Sequence, residues 1–275
     1  MGISAAQVNE LRKMTGAGLM DCKKALTEAE GNIDNAVDLL RKKGQKVSAL
    51  RAGRAATEGV IVALVNDNKD FGVAIHLSSE TDFVAKNDDF VALADKAAKL
   101  ALEKRPDNLE ALLNLELDGL KLSEKVIELV GKINEKIELS NYVTLSADAV
   151  VPYIHAGNKI GVLVGLNKSS EKAAAVGRDI AMQIAAMNPI ALDQDGVEQS
   201  VIDREMALGK EKALAEGKPE NILEKIAEGT VKKFLKENTL LNQQFVKDSS
   251  KTVAQVLKET EDGLKIVSFR RLALG

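Results

Sequence analysis

Along the first fifty residues the apolar positions repeat at helical spacing, and beyond them the period shortens to that of strands. Ser4 is a good N-cap, and Val8, Leu11 and Arg12 follow at helical spacing until Thr15-Gly16-Ala17-Gly18 stops the helix. A second helix from Leu19 to Glu30 carries Cys22, Ala25, Leu26 and Ala29 on one face, and Gly31 ends it. Asn32 can cap a third, whose stripe of Ile33, Ala36, Val37 and Leu40 closes at Gly44. A bundle this small buries a marginal core, as docking modules do, and is no size for an enzyme. The Lys-, Arg- and Ala-rich segment Gln45 to Glu58 reads as a helical linker.

Strand patterns follow. Gly59 to Val65 is a β-branched run, Asn66 to Lys69 is turn-like, and Phe71, Val73, Ile75 and Leu77 alternate with Gly72, Ala74, His76 and Ser78 as in a half-buried strand. This predicts a hairpin. The stretch Thr81 to Asn87 then makes a loop with Phe83 near its mouth, before helices marked by Phe90, Leu93, Ala94, Ala97 and Ala101, and by Val126, Leu129, Val130, Ile133 and Ile137. Pro106 terminates the first of these. Asn141 to Leu145, Val150 to His155 and Ile160 to Leu166 read as strands around the turn Ala156 to Lys159, and an Ala-rich helix runs from Ser169 to Met187. Strand, hairpin and helix thus occur twice, suggesting two α+β halves.

From Val197 to Asn238 the chain is polar and helical, broken only at Gly217-Lys218-Pro219, with thin apolar seams at Ile202, Met206 and Leu214 and at Ile222, Ile226 and Phe234. That predicts an antiparallel helical hairpin. A capped helix, Ser250 to Thr260, and a last strand, Leu264 to Leu272, follow. The final strand needs a sheet to join, so the hairpin is expected as an insertion within the second half. The predicted class is α+β: an N-terminal three-helix bundle over residues 1–55, a core half over 56–140, a second half over 141–196 completed by 239–275, and the hairpin over 197–238.

Composition narrows the function. In 275 residues, apolar side chains make up 45% and charged ones 29%, aromatics 3% with no Trp, so the cores are built from Leu, Ile, Val and Ala. The net charge of -3, with both signs well mixed, gives no field toward nucleic acid or an anionic membrane. Nucleic-acid binding is disfavoured. No stretch approaches the roughly 18 apolar residues of a membrane span, no leader pattern opens the chain, and the lone Cys22 fits a reducing compartment, so a cytoplasmic protein is expected.

Catalytic chemistry finds no footing. The two histidines, His76 and His155, have no metal-ligand spacing, and no Gly-rich loop ending in Lys-Ser or Lys-Thr precedes a helix, so no direct nucleotide binding is expected. Asp82, Asp88 and Asp89 gather near the loop, where Asp88 and Asp89 are best explained as complementing a helix dipole. The expectation is a protein without catalytic residues, metal or cofactor.

Several segments, taken together, resemble one family. Leu11-Arg12 with Met14 to Leu26, Glu80 to Asn87, and Tyr153 to Val164 look like translation elongation factor Ts, with further matches at Gly217-Lys218-Pro219, Glu224 to Phe234 and Phe245-Val246-Lys247-Asp248. The chain departs from the family's pattern at Gly229-Thr230 and at Gln243-Gln244-Phe245. The resemblance implies an N-terminal module of ubiquitin-associated type, a two-part core with antiparallel sheets, and an exchange factor that promotes GDP release from the GTPase elongation factor Tu.

In that family the Thr-Asp-Phe-Val motif dislodges the partner's Mg²⁺, which carries over to Thr81, Asp82, Phe83 and Val84. The same resemblance nominates Arg12, Leu19 and Met20 of the N-terminal module and His155 of the core as partner contacts. Each has a local alternative. Phe83 can fold into its own core, Asp82 can be a helix N-cap, and His155 can be a satisfied structural histidine. Arg12, Leu19 and Met20 can pack within the bundle, Leu19 most readily. A scaffold that binds partners or RNA without altering nucleotide release is the rival function, and a homodimer through the hairpin stays open.

Overall fold

The computed structural model describes residues 2–275; Met1, at which the expected N-terminal module begins, lies outside them. Three helices open the chain: α1 (Ala5–Thr15), α2 (Leu19–Glu28) and α3 (Ile33–Arg51). Ser4 and Gln7 form a reciprocal capping box on α1, Gly16 ends it in the left-handed conformation (φ 64°), and Asn32 caps α3. Their shared cluster includes Leu11, Cys22, Leu26 and Ala36.

The expected stop at Gly44 does not occur. Helix α3 runs on to Arg51 because Gly44 serves packing instead: a Cβ there would lie 2.8 Å from the carbonyl of Ile127 on a crossing helix and 3.5 Å from Gly131. Of the anticipated linker, residues 45–51 continue α3, residues 52–57 are irregular, and Glu58 opens the first strand.

Two three-stranded antiparallel sheets form the core. The first takes β1 (Glu58–Val65) and β2 (Phe71–Ser79); then come α4 (Asp82–Ala85), α5 (Asp88–Lys104), α6 (Leu109–Leu113), the small ribbon β3 (Glu116–Leu117) and β4 (Leu120–Lys121), and α7 (Leu122–Ile133). Strand β5 (Ile137–Ser146) completes that sheet in the order β1-β2-β5. Residue 141, where the second half is expected to open, lies inside this strand. The reason for the difference is pairing: β5 satisfies the free edge of β2 from Ser79↔Ile137 to Phe71↔Ser146.

The second sheet contains β6 (Ala149–Ile154) and β7 (Ile160–Leu166), followed by α8 (Glu171–Met187), α9 (Gln199–Ala215), α10 (Glu220–Asn238), β8 (Gln244–Phe245), β9 (Asp248–Thr252), α11 (Val253–Thr260) and β10 (Ile266–Ala273). Its order is β10-β7-β6, so the helical pair α9–α10 does lie in sequence between strands of one sheet. That pair crosses closely at Gly209, where a Cβ would meet Ala227 and Thr230 at 3.1 and 3.2 Å. The helix expected from Ser250 starts at Val253, because Thr252 and Gln255 make the capping box and the residues before them pair with β8.

Helices cover the outer faces. Val73, Ile75 and Leu77 of β2 pack with Phe90, Ala94 and Ala97 of α5, while Val162, Val164 and Leu166 of β7 pack with Ile180, Ala181 and Ile184 of α8. Between the sheets lie Ile61, Ala63, Ala74, Leu145, Val150, Leu163 and Leu272. Strand β2 is consequently buried at every residue, where alternation predicted burial on one face only. Its small residues allow the second sheet in: a Cβ on Gly72 would stand 2.8 Å from Val150. No helix among the described residues is long and apolar enough to cross a membrane.

Candidate functional site

The chain leaves the buried end of β2 and turns at once into α4. Thr81 is extended (φ -126°, ψ 155°), and its hydroxyl accepts from the Val84 N–H at 3.5 Å, which makes Thr81 the N-cap. Asp82 therefore is not the cap; it occupies the first helical position and pairs with Lys86 at 2.7 Å. The hydrogen bond and charge of Lys86 hold the Asp82 carboxyl below its ordinary range, so it is ionised at neutral pH. Asn87 caps the next helix, and Asp88 and Asp89 sit in its first turn, where carboxylates complement the dipole.

Consecutive helical residues point about 100° apart, so only one of two apolar neighbours can face the core. Val84 takes that place, 7% exposed, in the cluster with Phe90 and Leu77. Phe83 points out and is 80% exposed, the most exposed large apolar side chain among the described residues. The alternative of a ring folded into its own core is thereby excluded for this structure.

Two carboxylates from outside the turn hold it in place. Glu135, between α7 and β5, accepts from the Thr81 N–H at 3.1 Å and from its hydroxyl at 3.0 and 3.1 Å. Glu80 accepts from the Lys136 N–H at 2.6 Å, from Arg51 at 2.7 Å and from Arg54 at 3.1 Å. Burial pushes the Glu80 carboxyl up, but these donors together outweigh it and hold it below the ordinary value. Glu135 does not stand out in the sequence, because it lies 54 residues from Thr81 and no local pattern marks the pairing.

A second loop lies beside the first. After β6 the chain reverses through Gly157 and Asn158 at positive φ, and the Asn158 carbonyl accepts from Ile61 N–H of β1 at 2.8 Å. Lys159 reaches Glu58 at 3.0 Å, and Asp82, Ala85 and Lys86 line one groove with Gly157, Asn158 and Lys159. His155 stands exposed at the base of this turn, its Nδ1 2.9 Å from the Tyr153 hydroxyl. The local hydrogen bond satisfies one ring nitrogen and leaves the exposed edge free for a further contact.

The remaining nominated residues lie elsewhere. Arg12, Leu19 and Met20 are all exposed on α1 and α2, and none of them lines the groove. Leu19, for which core packing was the readiest alternative, is 50% exposed: it opens α2 one residue after Gly18, ahead of the buried face of Cys22, Ala25 and Leu26.

The whole chain also matches known proteins. The family profile described as Elongation factor TS matches residues 80–275, beginning at Glu80 itself. Elongation factor Ts of Amoebophilus asiaticus (strain 5a2) is 56% identical over 276 residues, covering all of both chains. The chain belongs to the elongation factor Ts family. Proteins of the same name from Christiangramia forsetii and Cytophaga hutchinsonii are 50% and 48% identical, each with 99% of both chains covered. These relatives span the N-terminal helices that the family profile leaves out. Membership makes this chain a translation elongation factor, acting in protein biosynthesis.

Proposed function

We propose that this chain is a guanine-nucleotide exchange factor that promotes GDP release from elongation factor Tu by disturbing the partner's Mg²⁺ and phosphate site, in the cytoplasm where elongation takes place. The observation that carries the reading is Phe83, an apolar ring exposed on a capped and clamped turn with an ionised Asp82 beside it. A GTPase holds its nucleotide through phosphate contacts and a bridging Mg²⁺, so an exchange factor has only to displace those supports and performs no bond chemistry. Thr81 and Val84 fix the turn, Phe83 is the wedge, and Asp82 brings a negative charge toward the cation's site.

Burying one phenyl ring contributes about 1.5 to 3 kcal/mol, less than opening a nucleotide site requires. Further contacts are assigned to Arg12, Leu19 and Met20 on the N-terminal module of residues 1–55 and to His155 at the neighbouring turn. Linkage demands reciprocity: a factor that weakens nucleotide affinity has its own affinity weakened by nucleotide in the same ratio, so GTP entry expels it.

The test is release of fluorescent GDP from elongation factor Tu. Acceleration by the wild-type chain, slowed by Phe83→Ala in a folded protein, is expected. Binding without acceleration would instead make the chain a scaffold, and an unchanged rate with Phe83→Ala would remove Phe83 from the site.

A further inference from the structure

The two carboxylates that flank the turn are arranged reciprocally. Glu135 takes the backbone N–H of Thr81, the residue after Glu80, while Glu80 takes the backbone N–H of Lys136, the residue after Glu135. Two segments 54 residues apart are thereby locked side by side through main-chain donors, which fixes backbone position more tightly than a pair of flexible side chains could. Glu80 also collects Arg51, on the last turn of α3, and Arg54 just beyond it.

A four-residue helix cannot sustain itself. Nucleating one turn fixes several backbone dihedrals for a single hydrogen bond, so α4 depends on outside support for its geometry. Core packing through Val84 supplies part of that support. The rest comes through Thr81: its hydroxyl caps the helix by accepting from Val84 N–H and is itself oriented by donating to Glu135. Without the Glu135 acceptor that hydroxyl keeps only its long 3.5 Å contact with Val84 N–H, and the Thr81 backbone keeps the Ser79 hydroxyl on its carbonyl, so the cap that sets the direction of Phe83 is held more loosely.

We infer that Glu135, interlocked with Glu80, is a positioning residue for nucleotide exchange: it touches neither nucleotide nor Mg²⁺ but holds Thr81 so that Phe83 is presented in one orientation. The inference rests on the exchange reading given above. Through Arg51 and Arg54 the same clasp ties the end of α3 to the turn, so the N-terminal helices and the wedge are held in fixed relation. Glu135 is the cleaner residue to alter, because removing Glu80 would also leave two guanidinium groups without their carboxylate.

The test compares wild type, Glu135→Ala, Glu135→Gln, Phe83→Ala and the double variant in GDP release from elongation factor Tu, titrating each factor to saturation. A positioning role lowers the maximal rate of Glu135→Ala about threefold to tenfold while leaving the half-saturating concentration near wild type. Loss of folded protein alone would do the reverse, raising the apparent half-saturating concentration with the maximal rate intact. Glu135→Gln, which keeps an acceptor oxygen, recovers most of the rate.

In the Phe83→Ala background, Glu135→Ala costs less than about twofold, since the ring it orients is gone. In the free protein, amide exchange at Thr81 is at least about tenfold faster in Glu135→Ala. A wild-type maximal rate in Glu135→Ala while Phe83→Ala is slow, or fully multiplicative losses in the double variant, would overturn the clasp and leave the exchange reading standing. A wild-type rate in Phe83→Ala would instead overturn the exchange reading, and the assignment of Glu135 with it.

Discussion

The two sheets each hand the chain to a helix in the same manner, and only one of the two connections displays an exposed aromatic ring. After β2, Thr81 caps α4 and its hydroxyl donates to the remote Glu135; after β7, Ser170 caps α8 and its hydroxyl donates to the remote Glu261. Glu261 is held by Lys168 as Glu80 is held by Arg51 and Arg54. What differs is the helix that follows. Helix α8 has seventeen residues and a long buried face, so packing fixes it whether or not its cap is clasped. Helix α4 has four, buries only Val84, and displays Phe83 to solvent. The same capping device therefore steadies a core element in one place and aims an exposed side chain in the other.

Removing the displayed ring is expected to have the largest effect. Phe83→Ala is expected to slow GDP release from elongation factor Tu by about tenfold to a hundredfold, while thermal unfolding stays within about a degree or two of wild type because the ring buries little in its own fold. The clasps come next. Glu135→Ala should lower the maximal exchange rate about threefold to tenfold, whereas Glu261→Ala should leave exchange unchanged and show at most a small fall of the unfolding midpoint in denaturant titration. Equal effects of the two on exchange would show that the connections do not differ in the way described.

A smaller effect probes the layer between the sheets. His76 on β2 is buried, neither ring nitrogen has a hydrogen-bond partner, and burial pushes its pKa down against the opposing pull of Glu138. A histidine with a native pKa below its unfolded value of about 6.5 stays neutral when folded and takes a proton on unfolding, so stability falls as pH drops below that value. The loss is at most about 1.4 kcal/mol per pH unit and ceases at the native pKa. Unfolding midpoints at pH 7.5 and pH 5.5 should therefore diverge for wild type and lie closer together for His76→Gln; parallel shifts would contradict the assignment.

The smallest expected effect is at His155. One of its nitrogens is already engaged by Tyr153, so His155→Ala should weaken affinity for elongation factor Tu by about twofold to tenfold, with little change in the maximal rate. Unchanged affinity would make it a structural histidine of the turn.

What could be read from the sequence was what neighbours in the chain decide. The caps at Ser4 and Asn32, the hairpin of β1 and β2, and the helical pair around Gly217-Lys218-Pro219 are set by turn chemistry and periodicity within a few residues, and they were legible. Gly44 predicts a stop that does not occur, because a glycine that ends a helix and one that lets another helix approach look the same until the partner helix is known. Strand β5 shows the same limit: its alternation reveals a strand but not that it completes the edge of β2. At the site, Thr81 to Asn87 drew attention through an apolar ring in a loop, whereas Glu135 gave no signal at all. Its contact with Thr81 spans 54 residues, and only the folded chain creates it.

The central claim is that an exposed ring on a clamped turn opens the nucleotide site of a partner. Stopped-flow release of fluorescent GDP from elongation factor Tu, with saturating wild type and saturating Phe83→Ala side by side, tests it most directly. Strong acceleration by wild type and a maximal rate at least about tenfold lower for the variant are expected. Equal maximal rates, or binding by wild type with no acceleration, would contradict it.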